Sequence, residues 1–183
     1  LTDPQADHPL PFTSLRSQAA SDGTDFLAVW SEGSGGIFGA IMKSDGTLKT
    51  FGAEESTRFL IAQSTAKLSN ELPLVAFNGQ QYVVVWHDKL DVNTRLYYAL
   101  VAADGSGVSG TKALGPSSAL ADRFLYSLSP GPDNQVLVLY SDFAEVPAQV
   151  RAQRIDLDGS NADPNGIKLF NIDSVDFGFG QPV

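Results

Sequence analysis

One stretch recurs three times along this 183-residue chain, each time as a turn, an apolar run, a break, a second apolar run and another turn. The first copy is Ser21-Asp22-Gly23-Thr24-Asp25 leading into Phe26-Leu27-Ala28-Val29-Trp30, then Ile37-Phe38-Gly39-Ala40-Ile41-Met42 and the turn Ser44-Asp45-Gly46. The second is Asn78-Gly79 into Tyr82-Val83-Val84-Val85-Trp86, then Leu96-Tyr97-Tyr98-Ala99-Leu100-Val101 and Asp104-Gly105. The third is more worn: Asp133-Asn134, Val136-Leu137-Val138-Leu139-Tyr140, then Val150 to Ile155 and Asp158-Gly159. The spacing is about 55 residues, and a period of that size decides architecture before any single residue does.

Helical signals are poor, because 17 glycines and 10 prolines interrupt any apolar spacing of three and four. Strand signals are strong. The runs ending at Trp30 and Trp86 are rich in β-branched and aromatic residues and follow Asp-Gly or Asn-Gly turns. They are apolar almost throughout, so both faces of each strand are expected to be covered, as in stacked sheets.

Each unit divides into four strands. A short first strand (Ser17 to Ala20; Pro73 to Ala76) precedes the strand ending in the aromatic, and a third strand leads to the Asp-Gly turn. The fourth follows that turn, at Phe59-Leu60-Ile61, Lys112-Ala113-Leu114 and Ile167 to Phe170. A repeated four-stranded antiparallel meander of this length is the unit of a β-propeller blade. The units fall at about 15–70, 71–124 and 125–183, behind a proline-rich, acidic segment 1–14 that reads as a linker or the end of a preceding repeat.

The pattern Pro-x-Val-Ala-x-Asn-Gly-x-x-Tyr-Val-Val-Val-Trp-x-Asp, followed by Leu-Tyr-Tyr-x-Leu-Val-x-x-Asp-Gly, runs from Pro73 to Gly105. It resembles the tandem β-propeller repeats of large bacterial extracellular proteins. The resemblance covers residues 15 to 180 and is sharpest in the second repeat. The first repeat has Ser17 where Pro73 stands, and the third has Tyr140 for tryptophan. It implies an all-β scaffold in a secreted or cell-surface setting, and no particular activity.

Three units pose a closure problem, since propellers usually have four to eight blades and an incomplete ring leaves sheets uncovered. A second copy could complete the ring, or the chain could belong to a longer array. Alternatively, three units could close among themselves as a β-trefoil. Propeller blades are the expected form and the trefoil the alternative. Gln181-Pro182-Val183 echoes Leu72-Pro73-Leu74, so both ends resemble cuts between repeats, and a start at Leu1 suggests processing from something longer.

Composition narrows function. A formal charge of −9 and an isoelectric point near 4.5 leave no basic field for nucleic acid or anionic membranes. No apolar run approaches the roughly 18 residues of a spanning helix, so membrane insertion is not expected. The absence of cysteine excludes disulfides and thiolate chemistry.

Four sets of residues could carry chemistry. The aromatics Trp30, Trp86 and Tyr140 close apolar strands and are expected to pack between sheets; Tyr97, Tyr98 and Phe143, nearer the loops, are the ligand-facing candidates. Two positions beyond each aromatic stands an acid, Glu32, Asp88 or Asp142, suited to sugar hydroxyls or a hard cation, or to capping backbone N–H groups in the adjoining turn. The run Asp156 to Gly166 places Asp156, Asp158 and Asp163 around glycines, as a calcium loop would, yet it departs from the EF-hand template and coincides with a repeat turn. Only two histidines are present, no nucleophile elbow occurs, and the Ser-Asp-Gly-Thr segments lack the spacing of a sialidase Asp-box.

The expectation is therefore a non-catalytic module without cofactor (calcium aside) for protein interaction, adhesion or scaffolding. A carbohydrate-binding module with one site per repeat is the alternative from another class. A glycosidase using an unselected carboxylate pair is the remaining one.

Overall fold

The computed structural model describes residues 17–32, 36–63, 73–90, 93–116 and 123–172, with backbone alone for 88–90, 93–94 and 126. Segment 1–14 and the Gln181-Pro182-Val183 echo lie outside these residues.

Twelve strands form three separate four-stranded sheets, each a meander in chain order. The first holds β1 (Ser17–Ser21), β2 (Phe26–Glu32), β3 (Gly36–Met42) and β4 (Phe59–Gln63). The second holds β5 (Leu74–Phe77), β6 (Gln81–Leu90), β7 (Asn93–Ala102) and β8 (Lys112–Leu114). The third holds β9 (Arg123–Pro130), β10 (Val136–Asp142), β11 (Gln149–Ile155) and β12 (Ile167–Asn171). All pairings are antiparallel. The strands expected from sequence are present. β9 was not legible as a strand and begins at Arg123, just upstream of the expected third unit.

The registers superpose the repeats: Trp30 pairs with Phe38, Trp86 with Tyr97 and Tyr140 with Arg151. Alternation then sends successive side chains to opposite faces of each sheet. On β6, Tyr82, Val84 and Trp86 join Leu27, Val29, Ile37 and Ile41 in a core between the first and second sheets. The intervening Val83 and Val85, with Leu96, Tyr98 and Leu100, join Val136, Val138, Tyr140 and Ile155 in a core between the second and third. This is why the β6 run is apolar throughout: the middle sheet is buried on both sides.

β1 lies beside β5, and β5 beside β9, along one edge of the stack. Among the described residues there are two inter-sheet cores and none joining the third sheet to the first. The β-trefoil alternative is therefore corrected. A trefoil folds three units around one shared axis of contact, whereas these sheets follow one another face to face in an open arc.

Candidate functional site

Neighbouring sheets are locked by a recurring joint. After β7, Asp104-Gly105 turns back with its N–H donating to Ala102 O at 2.8 Å, and a Cβ on Gly105 would come within 2.8 Å of Phe51 and 3.1 Å of Ile41 in the first sheet. The third sheet repeats this. Gly159 sits so close to Leu100 of β7 that a side chain there would collide with it. Both glycines have positive φ, 71° and 73°, where an L side chain is strained. Cationic side chains secure both turns: Lys49 Nζ donates to Asp104 O at 2.5 Å and Lys112 Nζ to Gly159 O at 2.8 Å. Gln81 Nε2 adds a bond to Leu157 O at 2.7 Å.

The carboxylates of these turns serve the turns. Asp45, Asp104 and Asp158 accept from Thr47, Ser106 and Ser160, and those bonds lower each carboxyl's pKa. Asp163 is held by two bonds of 2.8 Å from Arg154, which depress its pKa too. Asp156 accepts from Gln135 at 2.7 Å and from Ser160 at 3.2 Å. Thus Asp156 and Asp158 line a shallow groove of about 450 Å³ with Gln80, Gln81 and Asp133, while Asp163 is taken up by Arg154. No group of three or more potential metal-ligating side chains occurs among the described residues. The three acids expected to form a calcium loop, Asp156, Asp158 and Asp163, each accept local bonds, from Gln135, Ser160 and Arg154.

The acid that follows each aromatic is used differently in each repeat. Glu32 accepts from Trp30 Nε1 at 3.0 Å and pairs with Arg58, whose guanidinium lies 5.0 Å over the Phe38 ring. Asp142 is buried, with Arg123 Nε and Arg151 Nε each 3.4 Å from its carboxylate, and it accepts the Ala144 N–H at 3.0 Å. Arg151 is fixed in turn by the Asn165 carbonyl at 2.9 Å. Two guanidinium groups against one buried carboxylate tie the ends of β9, β10 and β11 together within the third sheet. The side chain of Asp88 lies outside the described residues.

The aromatics show a graded pattern. Trp86 and Tyr140 are buried between sheets, and Trp30 is only half-buried. Burial pushes the Tyr140 phenol up to about 12, with Asp142 adding to the rise. Tyr98, expected to face ligand, is buried instead, its hydroxyl donating to Gly159 O at 3.0 Å; its register puts it on the face that meets the third sheet. Tyr97 stacks on Trp86 at 6.4 Å and is half-buried. Phe143 remains exposed, edge-on to Phe124 at 5.8 Å.

Among the described residues, exposed apolar side chains stand on both end faces of the stack. On the first sheet, Phe26 and Met42 pair across β2 and β3 and are each 40% exposed. Their counterparts in the second sheet, Tyr82 and Val101, are fully buried. On the third sheet, Phe170 pairs with Val150 and is 57% exposed, whereas Leu114, which pairs with Leu96 in the second, is 2% exposed. Ile167 and Leu169 are exposed beside it. Sequence flagged none of these as interaction residues; the signal was available in the repeat alignment, since Phe26, Met42 and Phe170 match the core positions Tyr82, Val101 and Leu114 of the middle unit.

No protein-family model matches the chain, and no curated protein matches its sequence. Among solved structures, the chain is similar to the subtype N10 neuraminidase-like protein of A/little yellow-shouldered bat/Guatemala/060/2010, with 15% identity and a TM-score of 0.53 over 89% of this chain and 46% of that one. A glycoside hydrolase matches at 14% identity and a TM-score of 0.44 over 86% of this chain and 36% of that one. At such identity the likeness concerns the fold. The chain is all-β, with three four-stranded antiparallel sheets arranged as β-propeller blades. It spans less than half the length of the propeller proteins it matches.

Proposed function

We propose that this chain is a non-catalytic interaction and scaffolding module, a partial propeller that works by presenting its two end faces to further blades. The observation that carries this reading is the contrast between equivalent positions: Tyr82, Val101 and Leu114 are buried by neighbouring blades, while Phe26, Met42 and Phe170 are not. Contiguous exposed apolar surface is the usual mark of a protein contact. A secreted or cell-surface setting is supported by the resemblance of Pro73 to Gly105 to bacterial extracellular repeats. The burial of Tyr98 and the engagement of Glu32 and Asp142 in ion pairs weaken the carbohydrate and glycosidase readings at those positions.

The test is a tandem of two copies joined by a flexible linker and melted in dilute solution. Phe26→Asp in the second copy is expected to lower the melting temperature of the tandem while leaving unchanged that of the single chain held too dilute to associate. No effect on the tandem overturns the reading, as does turnover of a fluorogenic glycoside that is lost in Glu32→Gln or Asp88→Asn.

A further inference from the structure

We infer that the occupant of each end face is the opposite end face of a second copy, so that two chains close head to tail into one ring. This rests on the end-face reading above and commits it to a partner. The two internal joints supply the rule. At each one, the Asp-Gly turn of the later blade lodges against the third strand of the earlier blade, Gly105 on Ile41 and Gly159 on Leu100. The face carrying Tyr82, Val84 and Trp86 meets the face carrying Leu27 and Val29. The same pairing recurs between Val136, Val138, Tyr140 and Val83, Val85.

Continuing this rule leaves one half-joint at each end. The first blade carries an unused turn: at Gly46 nothing lies within 4 Å of where a Cβ would stand. The face of the same sheet carries Phe26 and Met42 and, farther along the strands, the stacked Trp30–Phe38 pair. The third blade carries the matching receiver, with Leu137 and Leu139 half-buried and Ile167 and Phe170 exposed. Four residues before each Asp-Gly turn stands the position that receives the next blade's turn. It is Ile41 and Leu100 in the first two blades and Arg154 in the third. Arg154 is exposed and already paired with Asp163 through two 2.8 Å bonds, and the turn that would reach it carries the exposed Asp45.

Because the two faces differ, the contact is heterologous, and such contacts give closed rings or open fibres according to whether the rotation closes. Each chain spans 46% of the length of a matched propeller protein, so two copies supply about one complete ring.

Sedimentation equilibrium of the full chain at micromolar concentration tests this. The expected mass is twice the 19.5 kDa of one chain, with no larger species as concentration rises. Phe26→Asp and Phe170→Asp, both at exposed positions, should each weaken the dimer by at least about tenfold. Mixing the two variants should restore part of the association, because one of the two joints then has both native faces. A monomeric wild type overturns the second-copy assignment even if the tandem responds to Phe26→Asp, in which case the face serves another partner. Growth beyond two copies overturns ring closure, and dissociation by only one of the two variants overturns head-to-tail pairing.

Discussion

The hydroxyl of Tyr98 on β7 donates to the carbonyl of Gly159 at 3.0 Å, fastening the middle sheet to the turn of the next. Lys112 donates to the same oxygen at 2.8 Å, and Leu100 packs directly on the glycine. The bond ties together two repeats whose Asp-Gly turns look identical and unremarkable in sequence.

Gly159→Ala is therefore expected to destabilise the chain well beyond an ordinary turn substitution. The positive φ costs about 1–2 kcal/mol for an L residue, and the new methyl collides with Leu100 as well. Gly46→Ala carries only the backbone cost, since its surroundings within the chain are open. Urea unfolding in dilute solution compares the two, and equal losses would remove the joint at Gly159.

Trp86→Ala should cost about 3–5 kcal/mol, the range for a buried large aromatic. Trp30→Ala should cost clearly less, because Trp30 is only half-buried on the uncovered face. A Trp86→Ala loss under about 1 kcal/mol would contradict the packing of the first core.

Asp142→Asn removes the charge that faces Arg123 and Arg151 in a buried site. Breaking such a pair costs about 3–5 kcal/mol, so a large fall in the urea midpoint is expected. Glu32→Gln breaks a pair whose arginine is about half exposed, and about 1 kcal/mol or less is expected there. Equal effects would count against the buried cluster.

Alkaline pH supplies another check. The Tyr140 phenol is raised from 10.0 to about 12 on folding, and Tyr98 is raised by burial too. A raised folded pKa contributes stability that is complete below the unfolded value and is lost as pH climbs through the folded one. Stability should hold to about pH 10 and then fall steadily toward pH 12. Tyr140→Phe should flatten that decline, measured by denaturant titration at each pH.

Calcium should leave the melting temperature unchanged, and EDTA should do the same, because Asp156, Asp158 and Asp163 are bound to Gln135, Ser160 and Arg154. A calcium-dependent rise would show that these bonds give way to the ion, since a ligand that binds only the folded state stabilises it.

Much of the fold was legible in the chain. The Asp-Gly and Asn-Gly turns bracket apolar runs that are nearly continuous, and each turn and each run stands where the repeats put it. Less of the candidate site was legible. Tyr98 looked like a ligand-facing ring because it lies near a loop in sequence. Its register beside Val85 instead turns it into the core that the third sheet completes. The acids Glu32 and Asp142 were recognisable as a series, but their partners Arg58, Arg123 and Arg151 come from other strands and loops. No local pattern announces such partners.

By itself the sequence determined the unit: four strands, their turns, and runs ending at Trp30 and Trp86 that are apolar on both faces. Those features follow from backbone geometry and side-chain alternation, which act over a few residues. The tertiary structure decided how the units meet. It set the sheets in an open arc rather than a closed trefoil, and buried Tyr82 while leaving its counterpart Phe26 exposed. Burial depends on what stands opposite a face, and equivalent residues in a repeat share their local chemistry without sharing their neighbours.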